Sequence, residues 1–162
     1  MKQIRANVQQ GMVSLTSEEI KGIIEHSNFF EEVQDISDGV FEENILAFRV
    51  KLDGSILEEE VERDVEEEGY IVTDDEEYTS VLIEQAEYFI DSAIDDIKDR
   101  IESRYSIQHI DSSYNIYQSY SDTSDVRFVM TLSFGAMGHG QLYEITNAVV
   151  DKNFTSNRGG LY

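Results

Sequence analysis

Carboxylates are the most abundant chemically active groups in this chain: 34 Asp and Glu stand against 12 Lys and Arg, for a net charge of −22. Residues 42–104 hold 22 of those acids and 6 of the bases, whereas residues 105–162 hold 5 acids and 3 bases. The charge is therefore regional, unlike that of a halophile's surface, which is acidic throughout. Two rows within the acidic region have a regular spacing. Glu58, Glu60, Glu62, Asp64, Glu66 and Glu68 fall at alternate positions, which on a strand puts them on one face about 6.5–7 Å apart. Glu84, Glu87, Asp91 and Asp95 recur at helical spacing, about 6 Å apart. Asp74, Asp75, Glu76 and Glu77 lie just before the second row, where a helix N-terminus favours negative charge. Neighbouring phosphates of a nucleic-acid strand are roughly 6–7 Å apart, so either row matches a phosphodiester backbone.

Other chemistry finds little support. Cysteine is absent, which removes disulfides, thiolate metal sites and thiol nucleophiles. His26, His109 and His139 show no metal-ligand spacing; His26 reads as a helix cap and His109 as a strand residue. The run Gly135-Ala-Met-Gly-His-Gly140 is the one glycine-rich loop, and a phosphate loop needs a helix opening after it. The residues that follow, 141–150, read as a strand, so the loop reads as a hairpin turn. Asp151, Asn153 and Thr155 begin like a calcium loop but lack its central glycine. Among so many acids nothing selects a general acid and base pair. The chain is read as a non-enzyme with no metal and no cofactor.

The elements that would position the acids follow from apolar periodicity. Residues 2–8 alternate weakly as a strand. Thr16 and Glu19 have capping-box spacing before Ile20, Ile23 and Ile24, a short helix ending near Ser27. Residues 44–52 alternate as a strand with Leu46, Phe48, Val50 and Leu52 on one face. For residues 55–68 two arrangements compete. A helix would be capped by Ser55, carry Leu57, Val61 and Val65 on one face and end at Gly69. A hairpin would turn at Asp53-Gly54 and set Leu57 opposite Val50 and Val61 opposite Leu46; these cross-strand matches favour it. Residues 76–103 place Leu82, Ala86, Phe89, Ile90, Ala93, Ile94, Ile97 and Ile101 on one face of a long amphipathic helix. Residues 105–110, 114–120, 126–134 and 141–150 read as strands. The expected fold is a single α+β domain over 1–162, an antiparallel sheet with the long helix and the short N-terminal helix packed on one face.

The run from Glu58 to Tyr78, EEEVERDVEEEGYIVTDDEEY, together with the charge balance, resembles the acidic DNA mimics that phages and plasmids direct against host nucleases, the anti-CRISPR and anti-restriction inhibitors. The resemblance is one of class, covers residues 55–102 and carries no family motif. It implies a basic nucleic-acid-binding partner, such as a CRISPR effector or a restriction nuclease, whose groove the acids occupy. Bare nucleic acid and membranes are poor partners for so acidic a chain. No apolar run approaches the length of a membrane span, and the expected location is cytoplasmic. The competing reading is a phage-type assembly or interaction module with a passive acidic surface, its Tyr114, Tyr117 and Tyr120 forming an oligomer interface. The non-enzyme reading predicts that zinc or ATP raises the melting temperature by less than about a degree, checked by thermal-shift titration; a rise of several degrees would overturn it.

Overall fold

Strand β4 (Ile45–Leu52) sits inside a four-stranded antiparallel sheet, with β3 (Phe30–Asp35) on one side and β6 (Arg127–Ser133) on the other; β5 (Asp111–Gln118) pairs with β6, giving the order β3-β4-β6-β5. The computed structural model describes residues 1–68, 75–118, 125–135 and 137–155, with positions 60, 61, 64–68, 75–80, 118, 139, 154 and 155 described by backbone alone. Alternation along β4 and β6 divides their side chains between two apolar layers. Leu46, Phe48, Val50, Leu52, Phe128, Met130 and Leu132 face one layer, and Ile45, Ala47 and Val129 face the other.

The larger layer is closed by three helices and a hairpin. β1 (Gln3–Val8) and β2 (Gly11–Thr16) form the hairpin; Gly11, with φ at 140°, takes a backbone region that side chains disfavour. Thr16 caps α1 (Ser17–Glu25), its hydroxyl accepting from the Glu19 amide at 3.2 Å, and Ile20, Ile23 and Ile24 are buried beneath. α2 (Gly54–Glu68) contributes Leu57, and α3 (Asp75–Tyr105) contributes Leu82, Ala86, Ile90, Ile94, Ile97 and Ile101. Lys2 ties the hairpin to the sheet, its ammonium donating to the carbonyls of Val40, Glu42 and Ile45 at 3.0, 2.7 and 2.7 Å.

The second layer corrects the expectation of helices on one face. Residues 141–150 are not a strand: α4 (His139–Val150) packs Leu142, Val149 and Val150 on the opposite side of the sheet. Its polar contacts are paired, since the Thr131 and Thr146 hydroxyls meet at 2.7 Å and Thr146 donates to the Leu142 carbonyl at 2.8 Å. A buried hydroxyl without a partner costs about 1–3 kcal/mol, so the pairing fixes how α4 sits. Asp151–Thr155 continue as one π-helical turn, which removes the calcium-loop resemblance.

The hairpin expected over residues 53–68 is also corrected. Asp53 does not enter a two-residue turn; its carboxylate accepts from the Ser55 amide at 3.0 Å and hydroxyl at 2.6 Å, and its carbonyl accepts from Leu57 N. Those bonds start a helix, while both flanks of β4 are already taken by β3 and β6. Residues 105–110 form no strand, because α3 runs on to Tyr105 and only Ile107 makes an isolated bridge, to Val8. The expected strand over 114–120 begins earlier, at Asp111, and positions 119–120 lie outside the described residues, as does Gly69.

Fully burying one aliphatic side chain contributes about 1.5–3 kcal/mol, so the face of α3 toward the sheet is worth far more than any ion pair on its outer side. Ile90 is fully buried there and Tyr88, two residues earlier, is 70 % exposed. Ile90→Asp is expected to cost about 4 kcal/mol or more, and Tyr88→Ala within about 0.5 kcal/mol, as read from urea denaturation midpoints.

Candidate functional site

The outer face of α3 carries Glu84, Glu87, Asp91 and Asp95, all exposed. The α-helical rise sets i and i+4 positions about 6 Å apart, so Glu87, Asp91 and Asp95 form one row along the helix. None of the three pairs with a cation among the described residues; on this helix Arg100 is bound instead to Asp96, at 2.8 Å.

The row borders a groove of about 480 Å³ between α3 and the outer strand of the sheet. Ser112, Ser113 and Tyr114 of β5 form its floor, Glu87, Asp91 and Asp95 one wall, and Tyr143 of α4 reaches it from the far side. The groove continues past Asn115 and Ile116 toward Ile83. Its potential is felt by Tyr114, whose phenol donates to the Glu87 carbonyl at 3.4 Å and packs edge-on against Phe128. Burial first, then the negative charge and hydrogen bonding of Asp91, then the charge of Glu87, push this phenol well above its ordinary value of 10.0.

No protein-family model, curated protein or solved structure matches this chain. Its chemistry must be read from the geometry alone. Among the described residues no three His, Asp or Glu side chains converge as a metal set, and no helix is long and apolar enough to cross a membrane. His26 ends α1 with its Nδ1 at 2.9 Å from the Gly22 carbonyl; His109 lies in the loop before β5 rather than in a strand, with Nε2 2.7 Å from Asp111 Oδ1. The glycine-rich segment 135–140 leads into α4 and not into a hairpin, with Gly138 at the helix N-cap and no side-chain cap there.

The other acidic row does not survive as a ridge. α2 turns about 100° per residue, so positions 58, 62 and 66 follow one line and positions 60, 64 and 68 another, about 200° away. Glu58 and Glu62 are exposed; the side chains of Glu60, Asp64, Glu66 and Glu68 lie outside the described residues. So do Asp74 entirely and the side chains of Asp75, Glu76 and Glu77, whose backbone opens α3. The tyrosine set is divided as well. Tyr114 faces the α3 layer, Tyr117 faces the α4 layer and accepts from Arg49 Nε at 2.7 Å, and Tyr120 lies outside the described residues.

Sequence reading missed Tyr143 and the polar floor of the groove. Leu142, Ile145 and Val149 recur at i, i+3 and i+7, a helical period that places Tyr143 on α4. Ser112 and Asn115 carry no signal of their own, because only sheet order makes β5 an edge.

A phenol with a raised folded-state value gives stability that is present below the unfolded value, near 10, and lost as pH rises through the folded one. Tyr114→Phe should therefore flatten the alkaline loss of stability and remove one late-ionising phenol from the absorbance titration. Asp91→Asn should move that phenol back toward 10.

Proposed function

We propose that the protein is an acidic decoy that inhibits a basic nucleic-acid-binding protein, such as a CRISPR effector or restriction nuclease, by occupying its nucleic-acid groove. The observation that carries this reading is the row Glu87, Asp91 and Asp95, extended by Glu84, exposed on α3 at near-phosphate spacing and with no cation paired to it among the described residues. A passive solubilising surface needs charge but no such order. Glu58 and Glu62 of α2, also exposed, would add to the negative charge offered to the partner. A host cytoplasm is the setting in which such a decoy would meet its target. The long α3 serves the reading physically, because one face anchors the row to the core while the other is left to the partner.

The second reading, an assembly module with a passive acidic surface, draws less support from its tyrosines among the described residues. Tyr114 and Tyr117 point to opposite faces of one strand and each is engaged within the fold. The edge at β5, unpaired among the described residues, still leaves a route for association with another protein.

Because one exposed ion pair contributes about 0.2–1 kcal/mol, single neutralisations should weaken binding by no more than about fivefold. Changing Glu84, Glu87, Asp91 and Asp95 together to Gln or Asn should weaken it at least about tenfold while the melting transition stays cooperative. Fluorescence anisotropy with labelled DNA on a restriction nuclease and on a CRISPR effector reads this, and a ternary complex containing DNA and the acidic protein together would sink the decoy reading. Affinity should also fall steeply with salt, over the range where the Debye length drops below about 10 Å.

A further inference from the structure

We infer that the outer edge of β5 accepts an extended, basic segment of a partner protein as a fifth strand of the sheet. β5 ends the order β3-β4-β6-β5, and from Asp111 to Ile116 it pairs with β6 in unbroken register. Among the described residues no strand and no backbone hydrogen bond lies on its other side. An edge strand of this kind presents a row of unpaired amides and carbonyls, the template that strand addition uses. Six residues offer about 20 Å of it.

The opposite edge of the sheet is protected. β3 is broken by a bulge between Phe30 and Glu32 and carries the Lys51–Glu31 ion pair at 3.3 Å. Bulges and charges are among the ways natural sheets close an edge. β5 has its only bulge at the far end, between Ile116 and Gln118.

β5 is packed against α4 on one face, and along its outer edge runs a groove walled by α3 and reached by Tyr143. A strand laid into that groove would send alternate side chains toward α3, about 6.8 Å apart. Glu87, Asp91 and Asp95 succeed one another at about 6 Å, which suits a Lys or Arg at every second position. The remaining side chains would pass the α4 side, where Tyr143 is 47 % exposed. Charge also rules on the occupant. A second copy pairing edge to edge would bring two acidic rows together in a chain of net charge −22, whereas a basic strand neutralises the row.

This inference rests on the acidic row being a binding surface, as in the decoy reading, but adds a main-chain component that nucleic-acid mimicry does not need. The test uses the full chain and a synthetic peptide of about ten residues alternating Lys with Thr. Two further peptides carry N-methyl groups on every second backbone amide, one in each phase, with charge unchanged. The unmethylated peptide should bind, slow hydrogen exchange in Ser112–Ile116, and lose at least tenfold in affinity on methylation in one phase only. Equal affinity for all three peptides, no binding of the unmethylated one at low salt, or no protection in β5 overturns the inference. A dimer in sedimentation whose β5 amides are protected without peptide overturns it too, in favour of a second copy. If the phase-dependent loss is seen but DNA is not displaced from either nuclease, the decoy reading alone fails. If DNA is displaced but both methylated peptides bind as well as the parent, the edge inference alone fails.

Discussion

The central strands β4 and β6 must bury both of their faces, and most of the architecture follows from that requirement. Ile45, Leu46, Ala47 and Phe48 are all fully buried, as are Phe128, Val129, Met130 and Thr131. A continuous buried run cannot be satisfied by helices on one side, since every second side chain would meet water. α3 and its neighbours cover one face, and α4 covers the other. The main-chain groups of these strands are satisfied by ladders on both flanks, which leaves residues 54–68 nothing to pair with on β4. Helix formation at α2 is thus a consequence of sheet order as much as of its own residues.

This division also explains how so acidic a chain folds. The buried layers draw on side chains worth about 1.5–3 kcal/mol each, while exposed like charges repel through water and are screened by salt. α3 separates the two demands around one axis, with isoleucines inward and carboxylates outward. Apart from Asp91, which meets the Tyr114 phenol, and Asp96, which pairs with Arg100, these outward carboxylates sit where the fold does not depend on them.

The mixed α+β class and the β4 strand were legible because apolar alternation and turn residues report local structure directly. The Thr16–Glu19 spacing stands where α1 begins for the same reason. What stayed illegible was anything set by neighbours distant in sequence. Leu57 matches Val50 across a hairpin as well as it matches a helix face, and only the presence of β3 and β6 decides against the hairpin. The Tyr, Ile and Val content of residues 141–150 suggested a strand, although Leu142, Ile145 and Val149 hold the helical period that prevails once β6 offers an apolar face. The acidic row on α3 was readable from spacing, but the groove beside it was not, since it exists only where sheet order leaves β5 outermost.

The Thr131–Thr146 hydroxyl pair has an evolutionary corollary. Both groups are sealed between α4 and the sheet, and each has one other partner: the Thr146 hydroxyl donates to the Leu142 carbonyl at 2.8 Å, and the Thr131 hydroxyl reaches the Ser113 carbonyl only at 3.4 Å. Replacing Thr131 by valine leaves Thr146 a good bond, whereas replacing Thr146 leaves Thr131 with the long one alone. Drift at position 146 is therefore conditional on prior drift at position 131, but not the reverse. Across descendants of this chain an apolar residue at 146 beside threonine at 131 should be the rarest of the four combinations, even where the acidic helix on the far side has diverged freely.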